Sequence, residues 1–331
     1  MLTIKIPYHR CNFTFITDIH LSAVPPGRRT GKYQEEILDK LRFVSETTHK
    51  IHGIGLCGGD FFHVKNSRSP ANSLEMICSA IEVLQTFPEN KVFGAIGNHD
   101  LLFDTIIDGQ PIDVLISAGV YHDLSKEPIL FVNEDESVKV LVEALPYAPA
   151  KTLESILNPP PRPEGVTHRI GIVHAYGQPG NAGDLFGERI IGYNEVKDSD
   201  YDFLLWGHDH SRKETVTIGK TTHIHLGSLS RAALDYDEVD RPISCAIVSF
   251  AKDAVRYKEQ TIPVKPLDIA FTKADKGMEK IAQSDDIKTF FKGMDEQISG
   301  MDTTDTREVI KQLCTGEPKL ETLILDLCEI H

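Results

Sequence analysis

The chain has few features of secreted, zinc-stapled or membrane proteins. Its six cysteines are scattered, with no Cys-x-x-Cys pair, which disfavours a disulfide framework. The longest stretch without Asp, Glu, Lys or Arg, Ile170 to Gly183, has only 14 residues, whereas a transmembrane helix needs about 20. The amino terminus lacks the basic and then apolar pattern of a signal peptide. We therefore expect a cytoplasmic protein of a bacterial or phage-infected cell, without membrane association.

Basic residues are fewer than acidic residues in this chain. The 331 residues include 35 Lys and Arg against 49 Asp and Glu, a formal charge of −14. This excess of acid argues against a polyanionic partner such as nucleic acid. With 40% hydrophobic and 25% charged residues the composition is that of a globular protein, which excludes disorder as the main state. The length allows about two domains.

Apolar segments alternate with helical patterns in the first half of the chain, which predicts parallel strands joined by helices. Closely spaced strand patterns from Glu214 onward predict antiparallel hairpins. Together they indicate the α/β class, with a two-sheet β-sandwich flanked by helices. The composition changes near Pro263–Pro266. We expect a main domain over residues 1–265 and a short, mainly helical appendage over 266–331 that caps the domain or docks a partner.

Five of the apolar segments end in residues that bind metals. Carboxyl ends of strands share one edge of an open α/β sheet, so these residues can meet there. Carboxylate, amide and imidazole ligands without thiolates suit Mn²⁺, Fe²⁺ or Zn²⁺. Each segment alone has an ordinary explanation as a turn or as a hydrogen-bonded histidine, but five in succession indicate a metal site. The residues are Asp18 and His20, Asp60, Asn98 and His99, His174, and His208 and His210.

The order of these motifs resembles that of the calcineurin-like metallophosphoesterases. The resemblance runs from Asp18 to His210 and implies a phosphoesterase with two divalent metal ions, Mn²⁺ being expected and Mg²⁺, Fe²⁺ or Zn²⁺ being alternatives. It implies that His99 is the general acid beside the scissile phosphate. It also implies that Asp60 bridges two metals, the first held by Asp18, His20 and His210 and the second by Asn98, His174 and His208.

A narrower resemblance is to the Mre11/SbcD-type DNA nuclease subunits of phages and bacteria. Asp60 is followed by Phe61-Phe62-His63, and in those nucleases the matching histidine helps to position the DNA phosphate. The segment Gly227-Ser228 is similar to one that follows their last metal motif. The resemblance implies a homodimer and a Rad50/SbcC-like ATPase partner. The chain departs from this family pattern at its carboxyl-terminal end. Residues 266–331 are too few for the large DNA-capping domain of cellular Mre11.

Basic residues cluster on the loops that follow the metal motifs. We expect them to contact backbone phosphates, although surface loops carry such residues in many proteins. They are Arg28, Arg29, Lys32, Lys65, Arg68, Arg212, Lys213 and Arg231.

The sequence thus predicts a metal-dependent DNA nuclease acting in repair, recombination or replication. Two alternatives stay open. A phosphatase or small-nucleotide phosphodiesterase on the same scaffold is favoured by the charge of −14 and by the short tail. A non-enzymatic binding protein would be expected to have lost metal ligands, whereas all seven positions carry them.

Overall fold

The computed structural model describes residues 2–101, 109–185, 187–232 and 241–271. Residues 1–183 and 189–272 form one compact unit, and residues 184–188 and 273–331 form a second. Most of the mainly helical appendage predicted over 266–331 lies outside the described residues, so the boundary at residue 265 stays a prediction. In the described part of the chain no helix is long and apolar enough to cross a membrane.

Within the described residues, strands dominate and helices are few. The helices are α1 (Tyr33–Lys50), α2 (Leu74–Leu84), α3 (Pro111–Ser117), α4 (Thr152–Leu157) and α5 (Leu267–Ala270). The strands are β1 (Leu2–Lys5), β2 (Cys11–Ile16), β3 (Ile54–Cys57), β4 (Val92–Gly94), β5 (Tyr121–Asp123), β6 (Ile129–Val132), β7 (Lys139–Leu145), β8 (His168–His174), β9 (Gly177–Gln178), β10 (Gly183–Leu185), β11 (Glu188–Gly192), β12 (Phe203–Gly207), β13 (Val216–Ile218), β14 (Thr221–His225), β15 (Ser244–Ala251) and β16 (Ala254–Thr261).

Two large mixed sheets carry the metal motifs. The six-stranded sheet has the order β16-β15-β2-β3-β4-β5, and β2 to β5 are parallel as the strand–helix alternation predicts. The seven-stranded sheet has the order β1-β6-β7-β8-β12-β14-β13, with β7, β8, β12 and β14 parallel. The hairpins predicted near the end, β13–β14 and β15–β16, are antiparallel.

The two sheets pack face to face, and helices cover their outer faces. Phe13 and Phe15 of β2 belong to the buried cluster between the sheets, together with Ile170 of β8. On the outer face of the six-stranded sheet, α1 buries residues such as Ile37 and Leu41 at helical spacing. The short helix α4 packs on β7 of the other sheet. This four-layer α/β sandwich confirms the predicted fold class.

The second helix is preceded by a short turn with its own cap. Ser69 caps the 3₁₀ turn Pro70–Asn72 by accepting from Ala71 N. The α-helix begins at Leu74, where Ser73 Oγ accepts from Met76 N at 3.2 Å. Serine followed by proline is typical of a helix start, but here it is Ser73 that caps the α-helix.

Candidate metal centre

The backbone at the strand ends bends in a way that few residues tolerate. Asp18, His20, Asp60 and His208 have φ angles of +52°, +48°, +51° and +87°. Such left-handed conformations cost non-glycine residues about 1–3 kcal/mol each and cluster at functional sites. The bends turn these side chains into one space at the carboxyl ends of β2, β3 and β12.

Glycine precedes two of the candidate ligands, Asn98 and His208, because the loops approach each other too closely there for a side chain. A Cβ at Gly97 would lie 2.1 Å from Asp60 Oδ1, and one at Gly207 would lie 2.3 Å from Thr17 Oγ1. The glycines in Gly97-Asn98 and Gly207-His208 are therefore required for the strand ends to converge.

The first group of donors contains Asp18, His20, Asp60 and His210, with one ligand atom from each lying within 4.8 Å of the others. The Nε2 atoms of His20 and His210 are 2.9 Å apart, and Asp60 Oδ2 is 3.6 Å from His20 Nε2. Asp18 is fixed by Thr17 Oγ1 at 2.6 Å and by the backbone N–H of His208.

The second group contains Asp60, His174 and His208, and Asn98 joins it. Asn98 Oδ1 lies 3.1 Å from His174 Nε2 and 2.9 Å from His208 Nδ1. His174 Nδ1 is 2.7 Å from the carbonyl oxygen of Gly58, which can only accept a hydrogen bond. The Nδ1 atom therefore carries the proton in the neutral ring, and Nε2 is left as the ligand atom.

Asp60 belongs to both groups. Its Oδ1 lies 3.4 Å from His174 Nε2, while its Oδ2 faces His20. Each carboxylate oxygen thus points to a different set of donors, the arrangement of a bridging ligand. The donor set of carboxylates, one amide and imidazoles fits two divalent ions.

The protonation states of these groups reflect their burial and their neighbours. Burial raises the pKa of Asp18 to about 7, with Asp60 adding to the shift. Burial would also raise the pKa of Asp60, but the effect of His174 is larger and opposite. The pKa of Asp60 therefore lies well below its usual range. Asp60 in turn overcomes the opposing effect of burial on His174 and raises its pKa to about 9. In the metal-free protein, His174 and Asp60 form a buried ion pair.

The two imidazoles of the first group, His20 and His210, differ from His174 in the direction of their pKa shifts. Burial and the neighbouring His210 hold the pKa of His20 well below its usual value. The pKa of His210 is also lowered, first by partial desolvation and then by the neighbouring His99 and His208, although 47% of its side chain is exposed. Both rings are therefore neutral near pH 7, the form that binds a metal ion.

His99 belongs to neither of these two groups, but with His20 and His63 it forms a third cluster of imidazoles whose ligand atoms lie within 4.8 Å of one another. Its backbone N–H donates to Asp60 Oδ1 at 2.8 Å, and its ring centroid is 4.7 Å from that of His20. His99 Nδ1 lies 2.7 Å from the carbonyl oxygen of His63, so Nδ1 carries a proton and Nε2 is available for proton transfer. The His63 ring stacks near that of His99, with centroids 5.9 Å apart.

Asp100 is a residue whose part in the site the sequence did not reveal. Its buried carboxylate accepts from the backbone N–H groups of Phe61, Phe62 and Gly97, at 3.0, 3.3 and 3.1 Å. It thereby fastens the loop of Asp60 to the loop of Asn98 and His99. Its place in the tetrapeptide Gly97-Asn98-His99-Asp100 was the available signal.

The predicted phosphate contacts divide into two groups. Arg28, Lys32 and Arg68 are exposed and Lys65 is half-buried, whereas Arg212 pairs with Glu259 at 2.9 Å and Lys213 with Asp209 at 2.9 Å. Arg29 and Arg231 are only 6% and 7% exposed, so phosphate contacts by these two arginines stay a prediction that their burial disfavours. Arg29 pairs with Glu36 and lies between the rings of Tyr33 and Phe271. Such packing leaves its guanidinium no surface for DNA.

A model of the calcineurin-like phosphoesterase family matches residues 11–212, which is more than half of the chain. No curated protein sequence matches it significantly. Among solved structures, a 5′-nucleotidase precursor from Thermus thermophilus is 12% identical with a TM-score of 0.42, covering 82% of this chain and 57% of its own. The NAD nucleotidase of Haemophilus influenzae is 12% identical with a TM-score of 0.41, covering 95% and 60%. The chain thus spans less than two thirds of the length of either structure.

Proposed function

Because this chain belongs to the calcineurin-like phosphoesterase family, we propose that it hydrolyses phosphodiester bonds of DNA with two divalent metal ions, Mn²⁺ in the first instance. The observation that carries the proposal is the division of the Asp60 carboxylate between two groups of donors. Asp18, His20 and His210 would complete the first site. Asn98, His174 and His208 would complete the second.

Two such ions would offset the negative charge that develops on the phosphate and lower the pKa of the attacking water. The protein's own contribution is to hold the donors before the metals arrive. Asp100 fastens two of the loops, and Thr17 orients the Asp18 carboxylate through its hydroxyl. A prearranged site of this kind stabilises the transition state without reorganisation during the reaction.

His99 is the proposed general acid. Its Nδ1 proton is held by the carbonyl oxygen of His63, so a second proton on the ring resides at Nε2. That proton can pass to the leaving oxygen as the phosphorus–oxygen bond breaks, and Nε2 is then the neutral nitrogen. The backbone bond from His99 to Asp60 fixes this histidine beside the donors.

DNA as the substrate rests on the motif Asp60-Phe61-Phe62-His63 and on the basic loops. His63 lies beside His99, where it could contact a phosphate oxygen of a longer substrate. Arg28, Lys32 and Arg68 remain exposed on the loops after the motifs. We further propose, with the nuclease, a homodimer and a Rad50/SbcC-like ATPase partner, for which residues 266–331 are the candidate docking region.

The second candidate is a phosphatase or small-nucleotide phosphodiesterase with the same metal chemistry. It is favoured by the positions of four of the eight basic residues, since Arg29 and Arg231 are buried and Arg212 and Lys213 are paired with acids. A small substrate needs fewer cations along the surface than a duplex does.

The two candidates differ in substrate, so a single panel separates them. The purified chain with Mn²⁺ would be given end-labelled duplex DNA, cyclic nucleotides and phosphomonoesters at equal concentration. We expect turnover of the duplex. Turnover of the monoester alone, or of cyclic nucleotides alone, would refute the nuclease and support the second candidate.

A further inference from the structure

A cavity of about 370 Å³ opens beside α1, away from the metal donors. Its walls come from α1, the start of β15 and the segment that precedes α5. None of the seven proposed metal ligands lines it. The lining includes Arg29, Glu36, Lys40, Phe43, Ile243 and Val264.

The cavity is rich in buried cations. Arg29, Lys40 and Arg231 line it and are 5–7% exposed, and Lys265 stands at its wall. Of the two acids in the lining, Asp39 pairs outward with Arg42 at 2.6 Å. The other, Glu36, is shared between Arg29 and Lys265. The lining therefore carries more positive than negative charge.

Lys40 donates only to uncharged groups in the part of the chain that is described. Its Nζ lies 2.7 Å from the carbonyl oxygen of Leu229 and 3.2 Å from that of Ser230. Burial and the cations Arg29 and Arg231 lower its pKa to about 7. Within the same residues, Arg29 Nε has no hydrogen-bond acceptor although it is buried. A buried ammonium without an acidic partner and a buried N–H without an acceptor are both costly, and an anion would relieve that cost.

We propose that this cavity binds a small organic anion through a phosphate or carboxylate group. Arg29 and Lys40 would hold the anionic group, and Phe43, Ile243 and Val264 would contact the rest of the molecule. The site is separate from the metal centre, and the proposal does not depend on the reaction. One chain of contacts links the cavity to the metal centre: Arg29 packs on Tyr33, and Tyr33 donates to the carbonyl oxygen of His20 at 2.8 Å.

The test is calorimetric titration of the full-length, Mn²⁺-loaded protein with inorganic phosphate, AMP and citrate. The comparison of phosphate with citrate separates the two anionic groups. Lys40→Met should weaken binding of the preferred probe by about tenfold or more, since a hydrogen bond to a charged group is lost. Val264→Trp keeps every charge but fills the entrance from a position that is 41% exposed, so it should fold and still block AMP and citrate.

Two variants serve as controls. Lys32→Met removes an exposed lysine next to the same helix and should bind as the wild type does. His210→Ala alters the metal centre, where phosphate could also bind, and should likewise leave binding at the cavity intact. Binding that is lost in His210→Ala and kept in both cavity variants would overturn the proposal. Failure of all three probes to bind at about 10 mM, near −3 kcal/mol, would overturn it as well.

Discussion

The two sheets contribute chemically different halves to the metal centre. Oxygen donors Asp18, Asp60 and Asn98 follow strands of the six-stranded sheet, which we call the oxygen side. The imidazoles of His174, His208 and His210 follow strands of the seven-stranded sheet, the nitrogen side; His20 is the exception. Ions held between them would bond to both sheets, so the reaction chemistry and the cohesion of the sandwich would be linked.

The two sides also hold their donors by different means. On the oxygen side, bent backbone and hydrogen bonds from main-chain N–H groups fix the carboxylates. On the nitrogen side, an imidazole ring is fixed through the nitrogen that does not face the metal site. His174 is the example, because its Nδ1 bonds to the carbonyl oxygen of Gly58. The carboxylates therefore lie on the oxygen side, whereas His174, the histidine with the raised pKa, lies on the nitrogen side.

The largest effect is expected for the bridging carboxylate of the oxygen side. Asp60→Asn removes the charge that both groups of donors share. Hydrolysis should fall by about a thousandfold or more, since several kcal/mol of metal-based stabilisation is lost. Elemental analysis should find less than one Mn²⁺ per chain. His208→Gln on the nitrogen side is the matched control and should lose only one of the two ions. Equal metal content in the two variants would disprove the bridging role.

His99 tests whether the oxygen side also supplies chemistry apart from binding metal. His99→Ala removes the proposed proton donor but no donor of either group, so kcat should fall by about a hundredfold or more. Metal content should stay near that of the wild type. A variant that loses metal instead would make His99 a ligand and would leave the general acid unassigned.

His63 allows the substrate to be tested separately from the reaction. His63→Ala leaves in place the backbone carbonyl that holds His99 Nδ1, so the chemical step should be preserved. Cleavage of duplex DNA should weaken by about tenfold or more through the loss of a charged hydrogen bond, while a small generic phosphodiester is barely affected. Equal losses on the two substrates would argue against a role in positioning DNA.

The sequence was sufficient to predict the fold class and the convergence of the strand ends. Those features depend on local patterns, namely apolar runs that stop at Asp18, Asp60 or His174. It did not predict that Arg29 is buried. That burial depends on Tyr33 and Phe271, the second of which is more than 200 positions away along the chain. A loop position in sequence does not establish exposure when a distant segment packs over the loop.

The role of Asp100 was hidden for a related reason. An acid beside a metal motif could be a ligand, a partner of a histidine or a buried acceptor, and only the positions of three N–H groups distinguish these. Backbone donors have no signature in the sequence. Polar residues that organise a site through the main chain therefore need a structure to be recognised.

The smallest expected effect concerns the protons that are released when Mn²⁺ binds. The source of these protons should distinguish the nitrogen side from the oxygen side. In the metal-free protein the pKa of His174 is raised to about 9 by Asp60, whereas those of His20 and His210 are lowered. At pH 7.5 His174 is thus the protonated imidazole among these three, and a metal ion must displace its proton. As the pH falls below about 9, Mn²⁺ affinity should drop by up to tenfold per unit, and more steeply below about 7, where Asp18 also takes up a proton.

Calorimetry at pH 7.5 in two buffers that differ in ionisation enthalpy measures the number of protons released as Mn²⁺ binds. We expect the wild type to release about one proton as Mn²⁺ binds, on the basis of the raised pKa of His174. His174→Gln should release only the fraction of a proton that Asp18 still carries, while His210→Gln, which alters a histidine that is already neutral, should still release about one proton. Undiminished release in His174→Gln would place the exchangeable proton on the oxygen side and contradict the contrast between the two sheets.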